Sequence, residues 1–216
     1  MEEKFYLLEN MKHIESMLSG KQKKFWSLKL AKAKHIHVSS IYDVFDKETV
    51  EYIKEVVRPK PKQCFANAQK FAMHFPAFNK YVEGEWGIGG SIGIEHAFNC
   101  INGVYVDITA ELVLGYDVTK EDYLSIIEIS DEKVLEYCRK FEAYMALIPY
   151  ELGEEVEQLN LFGSFIATPN KIPSKELPHK KIADRGNSCF IAFSISSILS
   201  TKICLIESSK FNLEIS

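Results

Sequence analysis

Hydrophobic positions recur at helical spacing in the first third of the chain and alternate in its middle. Phe5, Leu8, Met11, Ile14 and Leu18 lie three or four residues apart, which predicts a helix over about 2–18 that Gly20 ends. The run from Lys21 to Lys34 sets Phe25, Trp26, Leu28 and Leu30 among lysines and predicts a basic amphipathic helix. Asp46 stands as an N-cap to a helix over Lys47–Val57 that faces Val50, Ile53 and Val57 inward and is closed by Pro59. Pro59 and Pro61 keep Lys60–Gln63 out of a helix, and from Cys64 to His74 nothing breaks one. Phe65, Ala68, Ala72 and Phe75 keep helical spacing until Pro76 stops them.

The pattern then turns to strands. Tyr81–Trp86 reads as a strand, and Gly87–Gly93, with four glycines in seven residues, as a mobile loop that is either a lid or a plain connection. Asn102-Gly103 is the strongest short-range signal for a two-residue type I′ turn. Counting outward pairs Ile101 with Val104, Cys100 with Tyr105, Asn99 with Val106, Phe98 with Asp107, Ala97 with Ile108 and His96 with Thr109. His96, Phe98 and Cys100 then share a face with Tyr105, Asp107 and Thr109. Asp107 is the diagonal neighbour of His96, with Cβ atoms roughly 7–8 Å apart, and a slip of one residue would turn it away.

Downstream, Thr119–Asp122 resembles a capping box and predicts a short helix through Ile127. Ser130-Asp131 opens a longer one over Glu132–Leu147, with Val134, Tyr137, Cys138, Phe141 and Met145 on one stripe and Pro149 as its stop. The organisation expected is an N-terminal helical region over 1–58, a core over 59–168, a Pro/Lys-rich linker-like loop over 169–181 and an apolar C-terminal segment over 182–216 that docks on the core. The fold class is α+β, with the helical N-terminal half packed on a small antiparallel sheet.

Candidate chemistry gathers in that core. Cys64 falls in the first turn of a helix, where the macrodipole favours a thiolate. His96 is a base on a neighbouring strand, and Asp107 can hold its imidazole in one tautomer. A buried structural cysteine is the commoner role for any one thiol, but position, hairpin count and partner order favour Cys64 as a nucleophile.

The order of these residues resembles the transglutaminase-like branch of the papain-like fold, which includes transglutaminase-like proteases and arylamine N-acetyltransferases. The matching segments are Cys64 at a helix start, Glu95-His96-Ala97-Phe98 and Val106-Asp107-Ile108-Thr109, within roughly residues 60–112. Phe98 stands where the family more often has Trp, and Ile108 where it often has Pro. The resemblance implies a papain-like core with Cys64 as nucleophile, His96 as general base and acid, and Asp107 as its orienter. The backbone N–H of Cys64 and the Gln63 side chain are expected to meet the oxyanion. Acyl transfer through a thioester follows, with a peptide, protein or small amide as donor. Water as acceptor gives a hydrolase; an amine gives a transglutaminase-like or N-acetyltransferase-like transferase. The alternative from another class is a non-catalytic binding module that keeps the fold.

A second cysteine segment, Asp184-Arg185-Gly186-Asn187-Ser188-Cys189-Phe190, is similar to the active-site cysteine segment of papain-type proteases. Arg185 replaces the family's glutamine and stands too close to the cysteine, and too few residues follow to supply a later His and Asn. Cys189 could serve only with the upstream His96 and Asp107.

Composition narrows the classes. The chain has 216 residues with 46% hydrophobic and 12% aromatic content, which suits a globular core rather than disorder. A formal net charge of −4 makes no case for non-specific nucleic-acid binding. The Lys21–Lys34 helix alone suits an acidic partner or a membrane surface, and its plainer reading is a solvated face. No apolar run is long enough to span a membrane, and the N-terminus lacks a signal-peptide pattern. Five scattered cysteines suit a reducing cytoplasm better than a disulfide framework. His35 and His37 lack a third ligand, so neither a metal nor another cofactor is expected.

Overall fold

The computed structural model describes residues 6–76, 78–88, 92–153 and 170–172. They belong to one compact unit that spans Met1–Leu177. The expectations for the apolar tail, Cys189 among them, and for most of the linker-like loop lie outside these residues.

The architecture is α+β, built on a five-stranded sheet. Its strands are β1 (Lys34–Ile36), β2 (Asn79–Ile88), β3 (Ile92–Ile101), β4 (Val104–Val106) and β5 (Asp122–Ile129), in the order β1-β5-β2-β3-β4, with every neighbouring pair antiparallel. Helices α1 (Tyr6–Met17), α2 (Gly20–Lys32), α5 (Cys64–His74) and α6 (Asp131–Phe141) pack against it. Their apolar faces meet Tyr81, Ala97 and Leu124 of the strands. A second cluster holds Val82, Trp86, Phe98 and Tyr123 with Ile36 and Val38, and Ala110 and Val118 close over it from the segment after β4. Among the described residues no helix is long and apolar enough to cross a membrane.

Local signals explain several elements directly. After the short helix α3 (Ile41–Val44), the Asp46 carboxylate accepts the Thr49 N–H at 2.8 Å and starts α4 (Lys47–Val57), which ends at Arg58 in the left-handed region. Helix α5 begins at Cys64 and runs to His74 as its spacing predicts. Asn102 and Gly103 take φ of 50° and 88°, as a type I′ turn needs, and Ile101–Val104, Cys100–Tyr105 and Asn99–Val106 pair in the expected register.

Elsewhere the structure corrects the sequence reading. The predicted glycine loop is mostly strand, because Gly87, Ile88, Ile92 and Gly93 extend β2 and β3 as paired residues. The glycines admit the Leu7 side chain of α1: a Cβ on Gly93 would lie 2.8 Å from a Leu7 methyl group. The predicted short helix through Ile127 is a 3₁₀ turn at Val118–Lys120 followed by β5. Tyr123 through Ile127 are all buried, so this central strand shows no alternation and its apolar run is ambiguous in period. The long predicted helix stops at Phe141, where Glu142 turns left-handed at φ 50°. Ala143–Tyr144 then form β6, paired with β7 (Asn170–Lys171), and Pro149 sits in the first turn of α7 (Ile148–Glu151) rather than closing a helix. Gly20 opens α2 instead of ending α1.

Helix α2 also departs from a solvated basic face. Lys29 is fully buried, and its ammonium meets Glu85 at 2.9 Å and Glu95 at 2.8 Å over the Trp26 ring at 4.6 Å. Burial opposes its charge, but the two carboxylates outweigh that and raise its pKa.

Candidate active site

The approach to Cys64 is fixed before the helix begins. Lys62, two residues upstream, takes the left-handed region at φ 61°. Asn67, one turn into α5, receives the Lys60 N–H at 3.0 Å and donates to the Lys60 carbonyl at 2.8 Å. The same amide donates to Thr109 Oγ1 at 3.1 Å, which ties the loop before Cys64 to the turn after Asp107. Asn99 of β3 donates to the Ala68 carbonyl at 3.0 Å and to Asn79 Oδ1 at 2.9 Å, so α5 is pinned to the strand that carries His96.

Cys64 is half-buried and is the first residue of α5, where backbone N–H groups have no intrahelical acceptor. Gln63 is the N-cap, yet its side chain does not cap the helix. His96 projects from β3 with its side chain only 4% exposed, and its Nε2 lies 2.7 Å from Asp107 Oδ2. With Nε2 committed to Asp107, Nδ1 is the ring atom left for the Cys64 thiol. Burial works against a charged His96, but the Asp107 carboxylate overcomes it. Cys64, within hydrogen-bonding reach, adds to the effect, and the pKa rises to about 10. The ring also packs on Trp86, centroid to centroid at 4.9 Å.

Asp107 is not on a strand, as the hairpin count expected. The ladder stops at Val106, and the Phe98–Asp107, Ala97–Ile108 and His96–Thr109 pairs do not form. The cause is the carboxylate itself. Oδ1 accepts the N–H groups of Thr109 and Ala110, each at 2.9 Å, and draws the backbone into a turn that competes with the ladder. Oδ2 stays on the His96 side, so the expected contact forms although the expected pairing does not.

Tyr123 of β5 is a site residue that the sequence reading missed. Its hydroxyl donates to Asp107 Oδ2 at 3.0 Å, while its ring stacks on Trp86 at 6.2 Å and meets Phe98 edge-on at 5.5 Å. Burial first, and the Asp107 charge after it, push its pKa far upward, so it remains a donor. With Tyr123 placed in a helix there was no reason to look for it; the β-rich run Tyr123–Ile129 was the available signal.

A second buried network lies behind α5. The Tyr81 hydroxyl and the backbone N–H groups of Leu147 and Ile148 all donate to Glu83, the last at 2.9 Å. Burial raises Glu83 to about 7 despite those donors. Its folded-state pKa lies above the unfolded value of 4.5, so its contribution to stability is full below about 4.5 and is lost as pH rises through about 7. We expect the parent protein to lose roughly 3 kcal/mol more than Glu83→Gln across that window. Denaturation curves taken from pH 4.5 to 7.5 check this, and parallel pH slopes for the two proteins refute it.

The remaining described cysteines are placed differently. Cys138 is buried and burial pushes its thiol up to about 12, and burial also raises Cys100. A surface groove of about 460 Å³ at the β3–β4 turn is lined by Lys80, Cys100, Tyr105 and Glu128 and touches none of Cys64, His96 and Asp107. His35 is paired with Asp122 at 2.9 Å. Among the described residues no group of three or more His, Cys, Asp or Glu side chains could hold a metal ion. The geometry therefore brings a helix-terminal thiol, an imidazole and a carboxylate together. No protein-family model, curated protein or solved structure matches the chain, so its chemistry is read from these residues themselves.

Proposed function

We propose that the protein is a cysteine-dependent acyl-transfer enzyme with a papain-like core of the transglutaminase-like branch. The observation that carries the reading is the His96 Nε2 to Asp107 Oδ2 contact at 2.7 Å, with the ring's other side given to a cysteine at a helix N-terminus. Cys64 is the nucleophile, His96 the proton carrier and Asp107 its orienter. The Asp107 carboxylate favours the charged imidazole, the form that pairs with a thiolate.

The steps follow from that arrangement. The Cys64 sulfur bonds to the substrate carbonyl carbon, and the carbonyl electron pair moves onto oxygen. The Cys64 N–H and the Gln63 amide receive that oxyanion. As the tetrahedral adduct collapses, the bond to the leaving amine breaks and the amine takes the His96 proton. Neutral His96 then removes a proton from water or an amine acceptor as it attacks the thioester. Collapse returns the Cys64 thiolate and the imidazolium. Asp107 holds the ring through both proton transfers, and the Tyr123 hydroxyl and the Thr109 and Ala110 N–H groups hold Asp107.

Brief iodoacetamide treatment near neutral pH, followed by mass-spectrometric mapping, tests the assignment. Cys64 should be labelled well before Cys100, Cys138, Cys189 and Cys204, because thiolate fraction and access set the rate. Labelling of Cys189 first would move the nucleophile to the tail, and an inert Cys64 would leave a binding module.

A further inference from the structure

Apolar side chains on the surface are unevenly placed. Trp86 of β2 pairs directly with Ile94 of β3, so the two share a sheet face, and His96 lies two residues further along that face. The Trp86 ring is buried and covers the His96 imidazole. Ile94 is 40% exposed, and Tyr116, which meets Trp86 edge-on at 5.1 Å, is 38% exposed. Ile88, two residues beyond Trp86 on the same face, is 36% exposed. These side chains make an open apolar strip that starts at the imidazole. Ile94 and His96 are about 7 Å apart along the strand, roughly the reach of two residues of an extended substrate.

We propose that this strip is the acyl-donor subsite and that it takes an aromatic or branched aliphatic group next to the scissile carbonyl; the proposal rests on the acyl-transfer reading above. Two observations select a substrate group over a protein partner. The strip begins at His96, which lies within hydrogen-bonding reach of Cys64, so it is the apolar surface that continues from the imidazole. Its three exposed members, each no more than 40% open, fall far short of the about 800 Å² per partner that a stable interface needs. Tyr116 supplies an exposed ring and Ile94 a branched edge, and the buried Trp86 forms the floor between them and His96.

The experiment needs no knowledge of the natural substrate. Second-order rates of Cys64 alkylation are measured with iodoacetamide and with N-benzyl-iodoacetamide, and their ratio is compared with that for a small free thiol. The benzyl reagent should be preferred at Cys64 by about tenfold. Ile94→Thr and Tyr116→Ser, both at exposed positions, should each reduce the preference several-fold, while Met17→Ser at the exposed C-terminal end of α1 leaves it unchanged. A preference no greater than that of the free thiol, or one that survives both strip variants, overturns the subsite and leaves the acyl-transfer reading standing. Failure of iodoacetamide itself to label Cys64 removes the reading and the subsite together.

Discussion

Cys64→Ala is expected to melt within about 1 kcal/mol of the parent and to lose its activity almost completely. The small stability effect follows from its place: Cys64 is half-buried at a helix start, so truncation leaves little cavity. The large effect on turnover follows from the thioester, which cannot form without the sulfur. His96→Ala should fall equally far, on the order of a millionfold, and the double variant should be little worse, because the groups act as a unit. Asp107→Asn should lose less, on the order of ten-thousandfold, for a reason that the hydrogen bonds make specific. Oδ1 is held by the N–H groups of Thr109 and Ala110, so the new amide nitrogen faces His96 Nε2. Nε2 must then accept from that amide, which removes the counter-ion of the imidazolium and leaves a neutral ring with its proton on Nδ1. Paired melting curves and an activity or cellular phenotype assay decide the matter. A well-folded Cys64→Ala protein with an unchanged phenotype would remove the enzyme reading.

Lys29→Met is expected to destabilise the protein by about 3–5 kcal/mol, although it replaces a lysine with a residue well suited to a core. The methionine leaves Glu85 behind, and Glu85 is 4% exposed, so its charge stays buried without the ammonium. Glu95 is half in solvent and can turn away, so Glu85 sets the penalty. Adding Glu85→Gln should recover a large part of the loss, since it neutralises the stranded carboxylate. Chemical denaturation midpoints of the parent, the single variant and the pair measure both effects. A single variant within about 1 kcal/mol of the parent would show that the buried triad contributes little.

The sequence carried the site better than it carried the sheet. Asn102-Gly103 left one turn geometry open, and the three pairs beside it bring the chain back along β3 to where Asp107 reaches His96. Prolines and Asp46 bounded α4 and α5, which put Cys64 at a helix start. Central strand β5 was illegible because neighbours bury it on both faces and erase the alternation that marks a strand. Tyr123 went missing with it. Lys29 was read as solvated because its two carboxylates lie on β2 and β3, more than fifty residues away, and nothing local reports them. Asp107 shows the opposite conflict, where a local side-chain bond overrides the pairing that the turn predicts.

The strand order has a consequence for how the site is assembled in time. His96 and Asp107 are eleven residues apart within one hairpin, so their contact closes a short loop at small entropic cost. Strand β5 must insert between β2 and β1, and its Ser125 pairs with Lys34, which lies far back in the sequence, before α4 and α5. Tyr123 can therefore reach Asp107 only after a non-local step, and such steps are slow. Cys64 likewise joins the ring only when α5 docks on the sheet through Asn99 and Asn67. A folding chain is therefore expected to hold its imidazole and carboxylate together before the thiol of α5 joins them.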